Sequence, residues 1–254
     1  MSFEACEALV KAGDHDRWRS AQSAPLKGRR ALMALYAVSL EIARAPWASP
    51  EPLVAQIRLQ WWADEIGKIY QGEGVTSHEI LPALREVIFD HTLPMALFES
   101  LIQARHFDLG TAPHASRAAF DAYIHGTAGA VMALAAMAPG AKPEHLPVIK
   151  DFAYGAGVAA ILRAVPALKA RGCAPLPGGV EGLVVEAQEC LAKARTQRRI
   201  LPAALVPALL AGWRADATLA YAHKNLRDIT TGSLEDSPAR KSASLRWRRL
   251  SGRW

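Results

Sequence analysis

Carboxylates and arginines on predicted helices are the side chains of this chain whose spacing could support chemistry. Carboxylates four residues apart lie on one face of an α-helix, so both can reach a single Mg²⁺ ion. The stretch EVIFD places Glu86 and Asp90 at that spacing, and Asp64 precedes Lys68 by the same interval. A single acidic pair is more often a solvated helix face, and Asp64 with Lys68 has the spacing of an ion pair. We therefore assign no metal ligand and no catalytic residue to these positions.

Four arginines on predicted helices could bind the oxygens of a phosphate or a lipid headgroup. The planar guanidinium makes paired hydrogen bonds to such oxygens. These candidates are Arg30, Arg58, Arg163 and Arg171. The alternative for each is an ordinary ion pair with an acid such as Glu41 or Asp151. The last two arginines occur in ILRAVPALKARGCAPLPGG, which spans residues 161–179 and contains no acidic residue.

The elements that must position these residues are helices. Hydrophobic residues make up 51% of the chain, alanine is abundant and runs of β-branched residues are scarce, a mix that favours helices over sheets. RRALMALYAVSLEIAR repeats apolar residues at intervals of three and four, and SRAAFDAYIHGTAGAVMALAAMA predicts a long buried helix. Thr92 is predicted to cap the helix that follows Pro94. The sequence predicts an all-α protein, with residues 1–230 as one domain and residues 231–254 as a polar linker and a basic tail.

The basic tail carries the whole charge excess of the chain. The formal net charge is +6, and the last 15 residues, RKSASLRWRRLSGRW, contain six cations and no acid. Leu245, Trp247, Leu250 and Trp254 are interleaved with these cations. Basic and aromatic residues together suit an anionic membrane surface. A disordered solubilising tail is the alternative, and we predict no specific binding of nucleic acid.

The composition also bears on the compartment. No apolar run reaches the roughly 18 residues that a membrane-spanning helix needs. The first 18 residues carry four acids and do not resemble a secretory signal. Cys6, Cys173 and Cys190 form no CxxC pair, so we expect neither a disulfide framework nor a zinc site. The expected location is the cytoplasm, with peripheral attachment to the inner membrane as an open alternative.

Five stretches, in this order, resemble the squalene/phytoene synthase family. They are RRALMALYAV, RLQWWADEI, LPMALFESLIQARHFDL, YIHGTAGAVMAL and ILRAVPALKARGCAPLP. The similarity covers roughly residues 15–225. It implies a single-domain, isoprenoid-synthase-type helical bundle around a central cavity. Candidates for the cavity lining are Tyr36, Tyr123, Gly126 and Gly129, with helix packing as the alternative for each.

The resemblance also shows what this chain lacks. Members of the family hold Mg²⁺ between two facing aspartate-rich helical segments, where the metal neutralises the diphosphate leaving group. The corresponding positions here are Ala43, Arg44, Trp47, Ala164 and Leu168. None supplies a carboxylate, and Pro166 is expected to disturb the second helix. The resemblance therefore implies a metal site without its ligands and no cofactor.

The same departure occurs in the subgroup that includes the mitochondrial NADH dehydrogenase (complex I) assembly factor. IRLQWW and LRAVP…LP resemble that subgroup more closely than the synthases. We predict a degenerate, non-catalytic binding or assembly factor at a membrane surface, with a protein partner in respiratory-complex assembly. Two alternatives stay open. One is a prenyltransferase that joins two isoprenyl diphosphates head to head with Mg²⁺, and the other is a carrier of an isoprenoid or another lipid.

Overall fold

Helices make up the architecture of this computed structural model, which describes residues 2–74, 78–232, 234 and 237–254. Thirteen α-helices lie in these ranges, and no strand occurs within them. They are α1 (Ser2–Gly13), α2 (His15–Ala21), α3 (Leu26–Arg44), α4 (Pro52–Tyr70), α5 (Leu81–His91), α6 (Met95–Arg105), α7 (Arg117–Ile124), α8 (Ala130–Met137), α9 (Leu146–Ala170), α10 (Val180–Thr196), α11 (Val206–Leu209), α12 (Ala215–Lys224) and α13 (Pro238–Ser251). The predicted all-α fold is confirmed.

Helices α3 and α9 run through the interior and organise the core. Residues 31–39 of α3 are all buried, as expected for a helix packed on several sides. Helix α9 packs most extensively against α10 and also contacts α12 and α8. Large side chains such as Trp62, Phe98 and Phe152 fill the space between the helices. The apolar faces read from the sequence therefore meet in one continuous core.

A five-residue π-helical turn, His125–Gly129, joins α7 and α8 into one continuous helix. Small residues let neighbouring helices approach this turn. A Cβ atom on Gly126 would lie 2.8 Å from the Cβ of Ala104 in α6. A Cβ on Gly157 in α9 would lie 2.7 Å from the Cβ of Ala128. The turn is thus clamped between α6 and α9, and Gly126 serves this close packing.

Two local predictions were wrong. Helix α9 continues through Pro166 to Ala170, because a proline removes a single backbone donor and Leu162 and Val165 stay buried on either side of that turn. Thr92 ends α5 in the left-handed conformation, with φ of 48°, instead of capping α6. That conformation lets the N–H of Leu93 donate to the carbonyl of Ile88 at 3.1 Å.

The basic tail contains a helix that folds back on the body. Leu245 and Trp254 are buried, and the Trp254 ring meets the Phe152 ring edge to face at 4.7 Å. Arg195 Nε donates to the Trp254 carbonyl at 2.9 Å. The domain boundary at residue 230 stays a prediction. Within the described ranges, every helix is too short or too polar to cross a bilayer.

Candidate functional site

A central cavity of about 260 Å³ lies between α2, α3, α8, α9 and the start of α12. Small and apolar side chains form most of its wall. The apolar lining consists of Ala128, Val131, Met132, Ala156, Gly157, Ala160, Ala211, Gly212 and Ala215. The polar lining consists of Asp14, Asp16, Arg17, Tyr36, Arg163 and Arg214. Tyr36 and Arg163 are thus the sequence candidates that line this cavity.

Ion pairs neutralise both aspartates of the central cavity. Arg17 Nη1 lies 3.4 Å from Asp14 Oδ2, and the backbone N–H of Arg17 donates to Asp14 Oδ1 at 3.0 Å. Arg214, which is buried, donates from Nη1 to Asp16 Oδ2 at 2.8 Å. Arg163 is the third arginine of this wall. The polar lining therefore combines charged groups of both signs with the Tyr36 hydroxyl.

The Tyr36 hydroxyl is a buried polar group on the wall of the central cavity. Only 1% of the Tyr36 surface is exposed, and the Oη atom forms no hydrogen bond within the described part of the chain. Burial raises the pKa of the Tyr36 phenol above its ordinary value, while the Arg17 guanidinium, 5.4 Å from the ring centroid, opposes that rise. The hydroxyl is therefore neutral and able to donate one hydrogen bond.

Residues 43–47 and 163–171, the facing segments, are the two stretches where the family resemblance places metal ligands. Trp47 follows α3, Leu168 belongs to α9, and both line one small pocket of about 20 Å³. This Trp47 pocket is lined by Trp47, Phe107, Asp108, Gly110, Ala112, His114, Tyr123, Ile161, Leu168, Cys173 and Pro175. The Arg171 guanidinium lies 4.8 Å from the Trp47 ring centroid. An indole, a leucine and a stacked guanidinium thus occupy the space between the segments.

The donor set of the Trp47 pocket does not fit Mg²⁺, which takes about six oxygen ligands. Asp108 is the carboxylate of this pocket, and its oxygens are already engaged. It accepts from Arg105 Nη1 at 2.9 Å and from the Tyr123 hydroxyl at 3.1 Å. Burial raises the pKa of the Tyr123 phenol, so this hydroxyl keeps its proton. Among residues 2–74, 78–232, 234 and 237–254, no group of three or more His, Cys, Asp or Glu side chains could hold a metal ion.

The four candidate arginines do not converge. Arg163 lines the central cavity and donates from Nη1 to Thr218 Oγ1 at 3.1 Å. Arg30 is exposed and lies over the Phe3 ring, 5.5 Å from its centroid. Arg58 is exposed on α4, and Arg171 covers Trp47. A single anion therefore cannot contact all four.

The acids considered as replacement metal ligands also lie apart from the cavity. Glu86 is exposed, and Asp90 pairs with Lys27 at 3.5 Å. Asp64 is exposed and accepts from Gln60 at 2.7 Å. Its expected partner, Lys68, instead forms a 2.7 Å salt bridge with the buried Glu65. These carboxylates do not form a substitute for the lost clusters. Of the other named positions, Gly129 lies on the π-helical turn, while Ala43 and Arg44 end α3 and Ala164 lies on α9.

Sequence reasoning missed the polar side of the central cavity. Asp14, Asp16 and Arg17 come from the DHDRW stretch, where Asp14 caps α2. An aspartate before a helix is a recognisable signal for a cap. Nothing in the spacing links this stretch to Arg214, which is 198 residues from Asp16 in the chain. The tertiary fold alone brings them together.

Comparison with solved structures defines the class of fold. A squalene synthase, HpnC from Alicyclobacillus acidocaldarius, superposes with a TM-score of 0.76 at 18% identity, covering 88% of this chain and 94% of that one. A dehydrosqualene synthase in complex with ligand gives a TM-score of 0.70 at 16% identity, covering 98% and 96%. The protein therefore has the isoprenoid-synthase helical fold.

Sequence comparison then identifies the family. Residues 10–180 match the squalene/phytoene synthase family, so this chain is a member of it. A Drosophila melanogaster protein, the NADH dehydrogenase (ubiquinone) complex I, assembly factor 6 homolog, is 33% identical to this chain over 84 residues. That alignment covers 32% of this chain and 25% of the fly protein. The matched region thus spans a quarter of that relative's length.

Proposed function

We propose that this chain is a non-catalytic member of its family that acts as a binding or assembly factor for a respiratory complex. The observation that carries the proposal is the packing of the facing segments. Trp47 and Leu168 line a pocket of about 20 Å³, and Arg171 covers the indole. This space holds hydrocarbon and a cation where the family chemistry requires carboxylates.

The leaving group of the family reaction is a diphosphate. Ionising an allylic diphosphate requires positive charge that neutralises the departing pyrophosphate, a role that bound Mg²⁺ fills. Asp108 is occupied by Arg105 and Tyr123, and Asp14 and Asp16 are paired with arginines. Arg163 alone does not replace several divalent ions. These contacts support a protein that binds without turnover.

The assembly role is supported by the Drosophila relative named as a complex I assembly factor homolog. The matched region is short, so the test must be made in cells. Deleting the gene from the source organism should lower the amount of assembled NADH dehydrogenase, measured as activity in native gels. Normal assembly in the deletion strain would contradict the proposed role.

Catalysis is tested with farnesyl and geranylgeranyl diphosphate. We expect no pyrophosphate release with or without Mg²⁺, while a family synthase that retains both aspartate-rich segments serves as the positive control. Ala160→Trp provides a matched variant, because Ala160 lies on the wall of the central cavity. If the wild type released pyrophosphate and Ala160→Trp did not, the proposal would be overturned. Turnover equal in both proteins would identify a contaminating synthase.

A carrier of an isoprenoid or another lipid is the second candidate. The central cavity favours it, because a volume of about 260 Å³ lined by small residues approaches the size of common ligand pockets. The unpartnered Tyr36 hydroxyl would donate a hydrogen bond to a polar head. Native mass spectrometry should then show lipid with the wild type and little with Ala160→Trp. Lipid-free wild-type protein would count against a carrier.

A further inference from the structure

The fold fixes α13 in one orientation on the body. Leu245 and Trp254 are buried anchors, and Arg248 pairs with Asp216 of α12. Arg195 in α10 binds the same carboxylate, at 2.5 Å, so Asp216 ties α10, α12 and α13 together. Because these contacts hold the inner face, the opposite face of α13 must point to solvent.

The outer face of α13 combines apolar and cationic side chains. Trp247 is 64% exposed and Leu250 is 80% exposed, and they lie three residues apart on the face opposite Leu245. Arg246 and Arg253 are exposed beside them and form no salt bridge with any residue that the structure describes. Two protruding apolar side chains are therefore surrounded by unneutralised cations.

A second, distant segment extends this surface. Arg198 follows α10 and shares a groove with Trp247 and Arg253, although it lies about 50 positions earlier in the sequence. On the other side, Arg249 and Arg19 line a groove with Trp247 and Leu250. We call Arg198, Arg246, Trp247, Arg249, Leu250 and Arg253 the basic surface. Trp247 lies at its centre, because both grooves include it.

We propose that the basic surface docks the protein on an anionic phospholipid membrane. Tryptophan favours the membrane interface, arginine extends its guanidinium to the headgroups, and each nearby cation strengthens binding to anionic lipid. Tryptophan and arginine are also enriched in protein interfaces, but charged residues are depleted from the buried centre of such an interface. Here cations surround both apolar side chains, which matches a lipid interface. The inference does not depend on the assembly role proposed above.

The test is flotation of the full chain with vesicles of phosphatidylcholine, with or without phosphatidylglycerol. We expect binding to the anionic vesicles alone, lost when salt is raised because screening weakens exposed charges. Arg246→Gln with Arg253→Gln should weaken binding about 25-fold, since each cation contributes a factor of about five. Trp247→Ala with Leu250→Ala should weaken it at least about tenfold, because both side chains leave water on docking.

Matched controls lie on α4 and α5, far from α13 in the sequence. Leu53→Ala with Ile57→Ala removes two apolar side chains that are 68% and 60% exposed. Arg85→Glu makes the same change in net charge, a loss of two positive charges, at one exposed position. Both controls should float like the wild type. All four variants should keep the thermal midpoint of the wild type, since each change is on the surface.

Three outcomes would overturn the proposal. The first is equal binding to neutral and anionic vesicles. The second is equal loss in the controls and in the variants of the basic surface. The third is displacement of the protein from the vesicles by single-stranded RNA, together with RNA binding that does not require Trp247 and Leu250. That result would show that the arginines bind nucleic acid. Loss confined to the basic-surface variants supports membrane docking.

Discussion

Tyr36 and Tyr123 are both buried, yet their hydroxyl groups have opposite environments. Tyr36 lines the central cavity of about 260 Å³, and its Oη has no hydrogen-bond partner in the described part of the chain. Tyr123 lines the Trp47 pocket of about 20 Å³, where its hydroxyl donates to Asp108 and accepts from Arg105. One region contains open volume beside an unbonded hydroxyl, and the other is closely packed around a bonded one.

The contrast indicates that the two regions have separate structural roles. The facing segments, without carboxylates, are held by hydrocarbon packing and by Arg171 over Trp47. The central cavity keeps polar groups and empty volume that a purely structural core would not need, because interiors normally pack to high density. The Trp47 pocket is therefore closed by packing, while the central cavity keeps the volume and the polar groups that a ligand would need.

Tyr123→Phe should lower the stability of the fold more than Tyr36→Phe does, although both changes remove one tyrosine hydroxyl. It removes a hydroxyl that bonds to both Asp108 and Arg105, and hydrogen bonds to charged groups contribute about 1.5–3 kcal/mol. We expect the free energy of unfolding to fall by about 2 kcal/mol, measured by urea titration. An unchanged midpoint would show that the network does not stabilise the Trp47 pocket.

Tyr36→Phe is the matched change in the central cavity. Its Oη is buried without a partner, so removing it relieves a desolvation cost and should leave stability unchanged or raise it by up to about 1 kcal/mol. The same urea titration checks the sign. A loss as large as that of Tyr123→Phe would remove the distinction between the two regions.

The sequence was informative about helices and about what the metal positions lack. The helical spacing around Tyr36 and the gap in acids over residues 161–179 are local patterns, so both could be read directly. The pairing of Asp16 with Arg214 and the joining of Arg198 to the basic surface are not local, since each connects distant segments. Thr92 was misread because threonine favours the N-cap of a helix and, as a β-branched residue, rarely adopts the positive φ of 48° that it has here.

Trp47 and Arg171 should be energetically coupled, because their contact joins the facing segments. A cation near an aromatic face contributes about 0.5–1 kcal/mol at exposed sites, and Arg171 is exposed. In a double-mutant cycle of Trp47→Ala and Arg171→Ala, we expect a coupling of about 0.5 kcal/mol from unfolding free energies. Strict additivity would mean that the guanidinium adds nothing to the closure of the Trp47 pocket.

The smallest expected effect on stability comes from the protonation of His114, and it depends on pH. Its ring stacks on Phe107 at 3.7 Å between centroids, and burial lowers its pKa below 6.5 although Asp108 opposes this shift. The folded state therefore binds fewer protons than the unfolded state as pH falls through about 6.5. Its contribution is complete above that pH and is lost as pH falls towards the lowered pKa.

His114→Phe should reduce the drop in thermal midpoint between pH 7.5 and pH 5.5, because the aromatic ring stays and the titrating group does not. The drop should not vanish, since burial also lowers the pKa of His91 and of His125. The exposed His223→Phe serves as the control and should retain the wild-type drop. If His114→Phe also retained the wild-type drop, the His114 ring would take a proton in the Trp47 pocket as easily as in water. The contrast between a closed Trp47 pocket and an open central cavity would then lose its electrostatic support.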